Sequence, residues 1–566
     1  MKVRTKRAAA TGISVVLTLA MAPMQAFAAT SVSVENKNYN TASQGIGSGG
    51  GSWSWDGSNS MTLTDYQGGP ISSDGDLTIT NHGNSDVSGG ATEAIATING
   101  NLAIVNDGDL SISSSVADAV TTLDGDVTID NNGTMAVSSQ EDAAISTNDG
   151  DVTIGNTGTL DISSKSTNNE SSAIIANSDG GVSIGNSGDL SIKSDSGFDV
   201  ETNGDGNVVI NNGNTMSMDT GRANVWADGD GDVSLSNSGT LDFTSSKMNV
   251  GAKSGDVSVK SDGGTTNLTG ISYGLLSFVG GVSITGNGTL NVNTEGGSIN
   301  SAAIANNYGD MNIEDTTVNV NAKSANTVMC GIAANNGYVN VKNAKVNVSV
   351  TSLGQQSRYF AFGIGAQMFS LNNKSTDVGV NIVNSDVTSN VNVPGGGLGV
   401  GIVAIQMDEA SPYAASVNVN NSRVVASGPT AAIAAVSYNS ARPGTLTLTD
   451  CKVVAPQNGH VEDVADSTLA LYGQTIGTGT DVITDVYPTG EPNANIATDV
   501  TIDKVAAPAE PTAATPTAAS TVTVVSQTVT SALPKTGDDT LAIILALCSM
   551  LAAGGALLLV RRKLNA

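Results

Sequence analysis

The sequence predicts an all-β protein whose central part is a parallel β-helix, a solenoid of about 14 turns with a period of ~25 residues. Three observations predict it. A short motif recurs along the chain, each copy alternates apolar with polar residues, and an asparagine holds a fixed place in most copies.

The motif reads GDLTITNHGN from 75, GNLAIVNDGDL from 100, GDVTIDNNGTM from 125, GDVTIGNTGTL from 150 and GGVSIGNSGDL from 180, and it continues in more divergent form to GTLTLTDCKV. Aligned on the second core hydrophobe, the copies fall at Ile79, Ile104, Ile129, Ile154, Ile184, Ile210, Leu235, Val259, Ile284, Ile313, Val341, Ile382, Val419 and Leu448. The first steps are 25, 25, 25, 30, 26, 25, 24 and 25 residues. Three short strands and three tight turns add up to about that length, so each copy reads as one turn of a solenoid.

Within a copy, Val152-Thr153-Ile154 alternates, Leu160-Asp161-Ile162 alternates again, and Ala173–Ala176 supplies a third short segment. A period of two puts Val152, Ile154, Leu160 and Ile162 on one inward face. Two residues beyond the anchor stands an asparagine in ten of the fourteen copies: Asn81, Asn106, Asn131, Asn156, Asn186, Asn212, Asn237, Asn343, Asn384 and Asn421. Such a column is expected to form an amide ladder at a bend where φ is positive. Gly83, Gly108, Gly133, Gly158, Gly188, Gly239 and Gly288 follow two residues later and are expected in left-handed corners. Stacked parallel turns rise about 4.8 Å each, giving a rod on the order of 65 Å, and the crossovers are expected to be right-handed.

Composition agrees with strands and turns. Glycine numbers 66 of 566 residues, and charged residues are only 13% of the chain. The net charge of −28 disfavours nucleic acid and anionic lipid as partners. Of the three cysteines, Cys548 lies in a C-terminal apolar run, which leaves Cys330 and Cys451, roughly four turns apart and too distant to bridge.

Catalytic and metal chemistry find little support. His82 sits at a turn position and His460 lies beyond the last clear copy, so both read as structural. Asp228-Gly229-Asp230-Gly231-Asp232 begins like an EF-hand loop, but Val233 and Gly239 stand where that loop requires Gly and Glu. Neither a cofactor motif nor a zinc-ligand spacing stands out, and no enzyme activity is expected. A glycan-degrading β-helix enzyme is the minor alternative, which clustered acids near the long turns would have to carry.

The period lengthens twice, from Val341 to Ile382 by 41 residues and from Ile382 to Val419 by 37. These insertions hold Arg358, Tyr359, Phe360, Phe362, Phe369 and Tyr413. Loops on a rigid scaffold commonly carry recognition, and aromatics beside an arginine suit sugar or protein contact, so these six residues form the candidate ligand face. The alternative is that they fill wider turns.

Both ends carry processing signals. Four cations in MKVRTKR precede the apolar run 8–24 and Ala26-Phe27-Ala28, the pattern of a secretory signal peptide with cleavage after Ala28. Near the other end Leu533-Pro534-Lys535-Thr536-Gly537 stands before the apolar run Leu541–Val560 and Arg561-Arg562-Lys563. Twenty apolar residues suffice for a transmembrane helix. This order resembles the LPxTG cell-wall sorting signal of Gram-positive surface proteins. The resemblance implies that a sortase is a partner, cutting between Thr536 and Gly537 and joining Thr536 to peptidoglycan, so that the membrane is met only through the precursor's C-terminal helix.

Ahead of the first copy, Trp53-Ser54-Trp55-Asp56, Thr62-Leu63-Thr64 and Gly68-Gly69-Pro70-Ile71 are similar to the opening of bacterial carbohydrate-binding-domain-containing surface proteins. A stack needs a cap on its first turn, and bulky tryptophans can plug it, a reading favoured here over a sugar platform. The expected organisation is a signal peptide over 1–28, an N-terminal cap over 29–74, repeats over 75–457, a C-terminal cap over 458–502, a disordered Pro/Thr/Ala-rich wall-spanning linker over 503–532 and the sorting signal over 533–566. The expected function is that of a secreted, peptidoglycan-anchored adhesin or recognition scaffold for a glycan or a host or matrix protein. A ligand-free stalk or surface-layer component is the alternative.

Overall fold

In a computed structural model the described residues are 28–505, without 168–170, 297–300, 325–328, 353–360, 369–376, 395–397, 407–412, 438–440, 466–469, 472–473, 476–481 and 488–495. They are all strand, turn and bend, and form a parallel β-solenoid of about 13 turns. Residues 1–27 of the expected signal peptide, the expected linker from 506 on, the sorting motif and the C-terminal apolar run lie outside the described residues, whereas Asp503 and Lys504, expected in the linker, end the strand Asp499–Lys504.

The repeat sets the register. Val152–Asn156 pairs in parallel with Val127–Asn131 on one side and Val182–Asn186 on the other, so that Ile129, Ile154 and Ile184 stack, as do Asn131, Asn156 and Asn186. Thr159–Ser164 stacks in the same way between its equivalents, and Ile174–Ala176 completes the turn. Strict alternation buries Val152, Ile154, Leu160 and Ile162 in one continuous core while the intervening residues face outward. One turn has too few apolar side chains to bury a core alone, so its stability comes from the turns above and below.

The asparagine column divides in two. Asn81, Asn106, Asn131, Asn156, Asn186, Asn212 and Asn237 are buried, and each of the first six donates from Nδ2 to Oδ1 of the next at 2.7–2.8 Å. The column ends where Asn237 donates to Thr266 Oγ1 at 3.0 Å. None of the seven has the positive φ expected of them, because they end strands rather than occupy bends. Asn343, Asn384 and Asn421 are different: they are exposed, with φ of 50°, 52° and 43°, and make outer corners.

The glycine column also has another cause than expected. Only Gly83 is left-handed, with φ of 85°. At Gly108, Gly133, Gly158 and Gly188 a Cβ would lie 2.0–2.2 Å from the carbonyl oxygen of the glycine one turn below. The residue is required by the closeness of stacked backbones, not by backbone handedness.

The third strand departs from alternation in the later turns. Gly399–Gln406 and Ala431–Ser437 are buried at every position, and Leu276, Ala305, Ala333, Phe362, Val403 and Ala434 form a second apolar cluster apart from the central core. Near-continuous apolar runs such as GVGIVAIQ are what a strand buried on both faces requires.

Antiparallel strands close both ends. Ser43–Gly47, Gly50–Trp55 and Ser60–Gly68 make a meander in which Trp53, Trp55 and Tyr66 are buried, and Tyr39 packs edge-on to Trp53 at 4.9 Å. Ser60–Gly68 then pairs in parallel with Leu77–His82 and hands the chain to the solenoid. At the far end Thr445–Thr449 is still parallel to the turn below, but Cys451–Ala455 pairs antiparallel with Asp499–Lys504. The last anchor, Leu448, therefore opens a capped turn, which is why there are about 13 turns and not 14.

Candidate functional site

Of the six residues of the sequence-derived ligand face, Phe362 and Tyr413 are among the described residues. Arg358, Tyr359, Phe360 and Phe369 lie outside the described residues. Phe362 is buried in the second apolar cluster and does not offer a surface. Its ring packs against Gly365, where a Cβ would be 2.6 Å from Cδ2 and Cε2. Tyr413 is partly buried just before the strand Ala415–Asn420.

A different aromatic group stands on the third-strand side of the solenoid. Phe198–Thr202, Ala223–Ala227, Met248–Ala252 and Tyr273–Ser277 stack in parallel, with Phe198, Ala223, Met248 and Tyr273 in one register column and Glu201, Trp226, Gly251 and Leu276 in another. The absence of a side chain at Gly251 makes room for the indole of Trp226, since a Cβ there would lie 2.8 Å from Trp226 Cζ3. Phe198 stacks on Trp226 with centroids 6.2 Å apart and planes 15° off parallel, and Phe278 meets it edge-on at 6.0 Å. The three rings form a row spanning several turns. Trp226 is half-buried and Phe278 is 41% exposed, so these two rings are reachable from solvent, while Phe198 is buried and backs Trp226 from within.

Charge flanks the row. The Arg222 guanidinium lies 4.2 Å from the Phe198 ring centroid, a cation–π contact that holds it flat along the aromatic surface. Glu201, next to Trp226 in register, is largely buried and accepts a hydrogen bond from Ser172 Oγ at 2.5 Å. Burial pushes its carboxyl up from the ordinary range, against the Ser172 bond and the Arg222 charge, with Asp228 adding to the rise. Aromatic faces between a fixed cation and a carboxyl can stack on the C–H face of a sugar or an apolar side chain while bonding its polar groups.

Beneath this surface lies a second, internal polar column. Asn249 donates to Asn224 Oδ1 at 2.9 Å, and Asn224 donates to Asp199 Oδ2 at 2.7 Å, all three fully buried. Burial raises the Asp199 carboxyl well above its usual range. Its Oδ1 has no hydrogen-bond partner. Asn224 and Asn249 also donate to the carbonyls of Thr244 and Thr269, and the register places Asp219 as the equivalent one turn lower. A protonated Asp199 would complete the series by donating to that carbonyl.

The cysteines fit the expectation of small buried hydrophobes in part. Both are free thiols, Cys330 packs against both apolar clusters, and burial pushes its thiol up to about 12. Cys451 instead exchanges hydrogen bonds with the Ser422 backbone at 3.3 and 3.4 Å. His460 faces Glu462, with Nε2 and Oε2 3.0 Å apart. Among the described residues no group of three or more His, Cys, Asp or Glu is placed to hold a metal ion, and no helix is long and apolar enough to cross a membrane.

The aromatic row escaped the sequence reading because Phe198, Trp226 and Phe278 are spread over eighty residues. The available signal was the 25-residue step from Trp226 to Gly251, a large ring directly followed one turn later by a position without a side chain. No family model matches the chain, and no curated protein and no solved structure matches it.

Proposed function

We propose that this chain is a secreted surface protein, joined to peptidoglycan through Thr536 by a sortase, that acts by contact and recognises a glycan or a host or matrix protein through its solenoid. The observation that carries the reading is the row Phe198, Trp226 and Phe278 with Arg222 laid against it. A scaffold built of small polar residues has no structural need for solvent-reachable rings on its outside. The signal-peptide pattern and Leu533–Gly537 supply the cellular placement, with the carboxyl of Thr536 as the point of attachment.

The test is an array of glycans and matrix proteins probed with the exported chain, residues 29–532, and its Trp226→Ala variant. Retention of at least one ligand class, lost in the variant while the melting temperature holds, supports the reading. Absence of binding anywhere on the array refutes it in favour of a ligand-free stalk. Attachment is tested separately, by digesting cell walls and sequencing the C-terminal peptide, which should end at Thr536 linked to a wall fragment.

A further inference from the structure

In the later turns the asparagine columns move from the inside of the solenoid to its outside. On the outer face of the second strands, Asn291 donates to Asn267 Oδ1 at 2.8 Å, Asn319 to Asn291 at 2.9 Å and Asn347 to Asn319 at 2.9 Å. Two residues along each strand a parallel column holds Asn293, Asn321, Ser349 and Asn390. The two columns border a shallow depression of about 340 Å³, and none of the eleven residues lining it is charged. On a chain with a net charge of −28, a neutral patch of this size is a local exception.

Asn291 and Asn319 each spend one N–H and one acceptor site on their column neighbours, while at the ends Asn267 donates to Asp242 Oδ1 at 2.6 Å and Asn347 donates to Asn319. That leaves a second N–H and further lone-pair capacity on every amide. The column bonds fix the side-chain torsions, so these free groups recur at the strand spacing of about 4.8 Å along the stack and about 6.8 Å along each strand. Ordering them for a ligand therefore costs little entropy. A charged ligand finds no counter-charge in this patch, and an apolar one finds mostly amides. What fits is an extended, uncharged, repetitive molecule dense in hydroxyls, each of which can both donate and accept.

We propose that the outer face of the second strands between Asn267 and Asn390 binds a neutral polysaccharide chain lying along the stack. The proposal rests on the reading of the protein as an extracellular contact protein, and it names a surface separate from the Trp226 row.

The test measures retention of the exported chain on insoluble cellulose, chitin, xylan and mannan. The double variant Asn319→Ala/Asn347→Ala is expected to be retained about tenfold less on at least one of them, with an unchanged far-UV spectrum and melting temperature. Ser349→Trp alters neither column bond and is expected to cause a similar loss by covering the depression. Trp226→Ala should leave this retention intact. The proposal is overturned if no neutral polysaccharide is retained, or if both lattice variants are retained like the parent. It is equally overturned if the variants only dissociate a dimer seen by light scattering, which would make the face a contact between copies. Ligands bound through Trp226 with none bound through the lattice would overturn this proposal and leave the function proposed above standing, whereas binding through neither would end both.

Discussion

Removing one rung of the buried amide column, by Asn156→Ala, is expected to cost about 3 kcal/mol. Asn156 Nδ2 donates to Asn186 Oδ1 at 2.8 Å and to the carbonyls of Asp189 and Gly158 at 3.0 and 3.2 Å, while its Oδ1 accepts from Asn131 at 2.8 Å. After truncation Asn131 keeps its bonds to the carbonyls of Thr159 and Gly133. Gly158 O keeps the Asp189 N–H. Asn186 Oδ1 loses the Asn156 donor in the interior, and an orphaned buried acceptor costs about 1–3 kcal/mol, with about 0.5–1.5 kcal/mol for each bond lost elsewhere. The half-buried counterpart Asn319→Ala removes two column bonds on the outer face, where water can replace them, and should cost less than about 1 kcal/mol. Urea unfolding followed by far-UV circular dichroism compares the two, and hydrogen exchange localises the effect to turns 131–186, since stacked repeats open locally. Equal costs for Asn156→Ala and Asn319→Ala, within about 0.5 kcal/mol, would refute the view that the interior column carries stability.

Three further outcomes follow from the same interior. Gly158→Ala places a Cβ 2.0 Å from Gly133 O and should destabilise by about 2–3 kcal/mol, whereas at Gly155 a Cβ meets only the movable Asp130 carboxylate at 2.8 Å and Gly155→Ala should be neutral or better; thermal melts separate them. Asp118, whose carboxyl burial pushes up to about 6 with Asp142 and Glu93 adding to the rise, folds best protonated, so its contribution is fully present below the ordinary carboxylate range and is lost as pH rises from about 4 to 6. Asp118→Asn should flatten the urea midpoint across that window, by up to about 2 kcal/mol. Asp199→Asn should place an amide N–H toward the Asp219 carbonyl without the cost of protonating a carboxylate on folding, raising the melting temperature at pH 7 while changing it little at pH 3, where the carboxyl is protonated in the unfolded chain too. A melting temperature unchanged or lowered at pH 7 would contradict the protonated reading of Asp199.

The solenoid was legible because its signal repeats: the anchors from Ile79 to Leu448 stack in the register that their spacing dictates, including across the long steps to Ile382 and Val419. What the sequence hid is direction. Asn156 and Asn343 hold equivalent places after their anchors, yet one points into the core and the other turns a corner, because the first ends a strand and the second follows one. Phe362 read as a surface residue because aromatics near an arginine suggest a ligand, but the glycine three positions on leaves room for its ring in the interior. The rings at 198, 226 and 278 meet only once the turns are stacked, and no local window contains them all.

The buried amide column fixes two sides of each turn from Asn81 to Asn237 but leaves the third corner free. Between Asn156 and Asn186 the step is 30 residues where its neighbours take 25, yet the rungs still meet at 2.8 Å. Extra chain can therefore be added at that corner in any amount, while along the stack it can be added only as whole turns. The length of the stack becomes a counted quantity, set by how many copies a gene encodes, and loops at the free corner can diversify without altering that count.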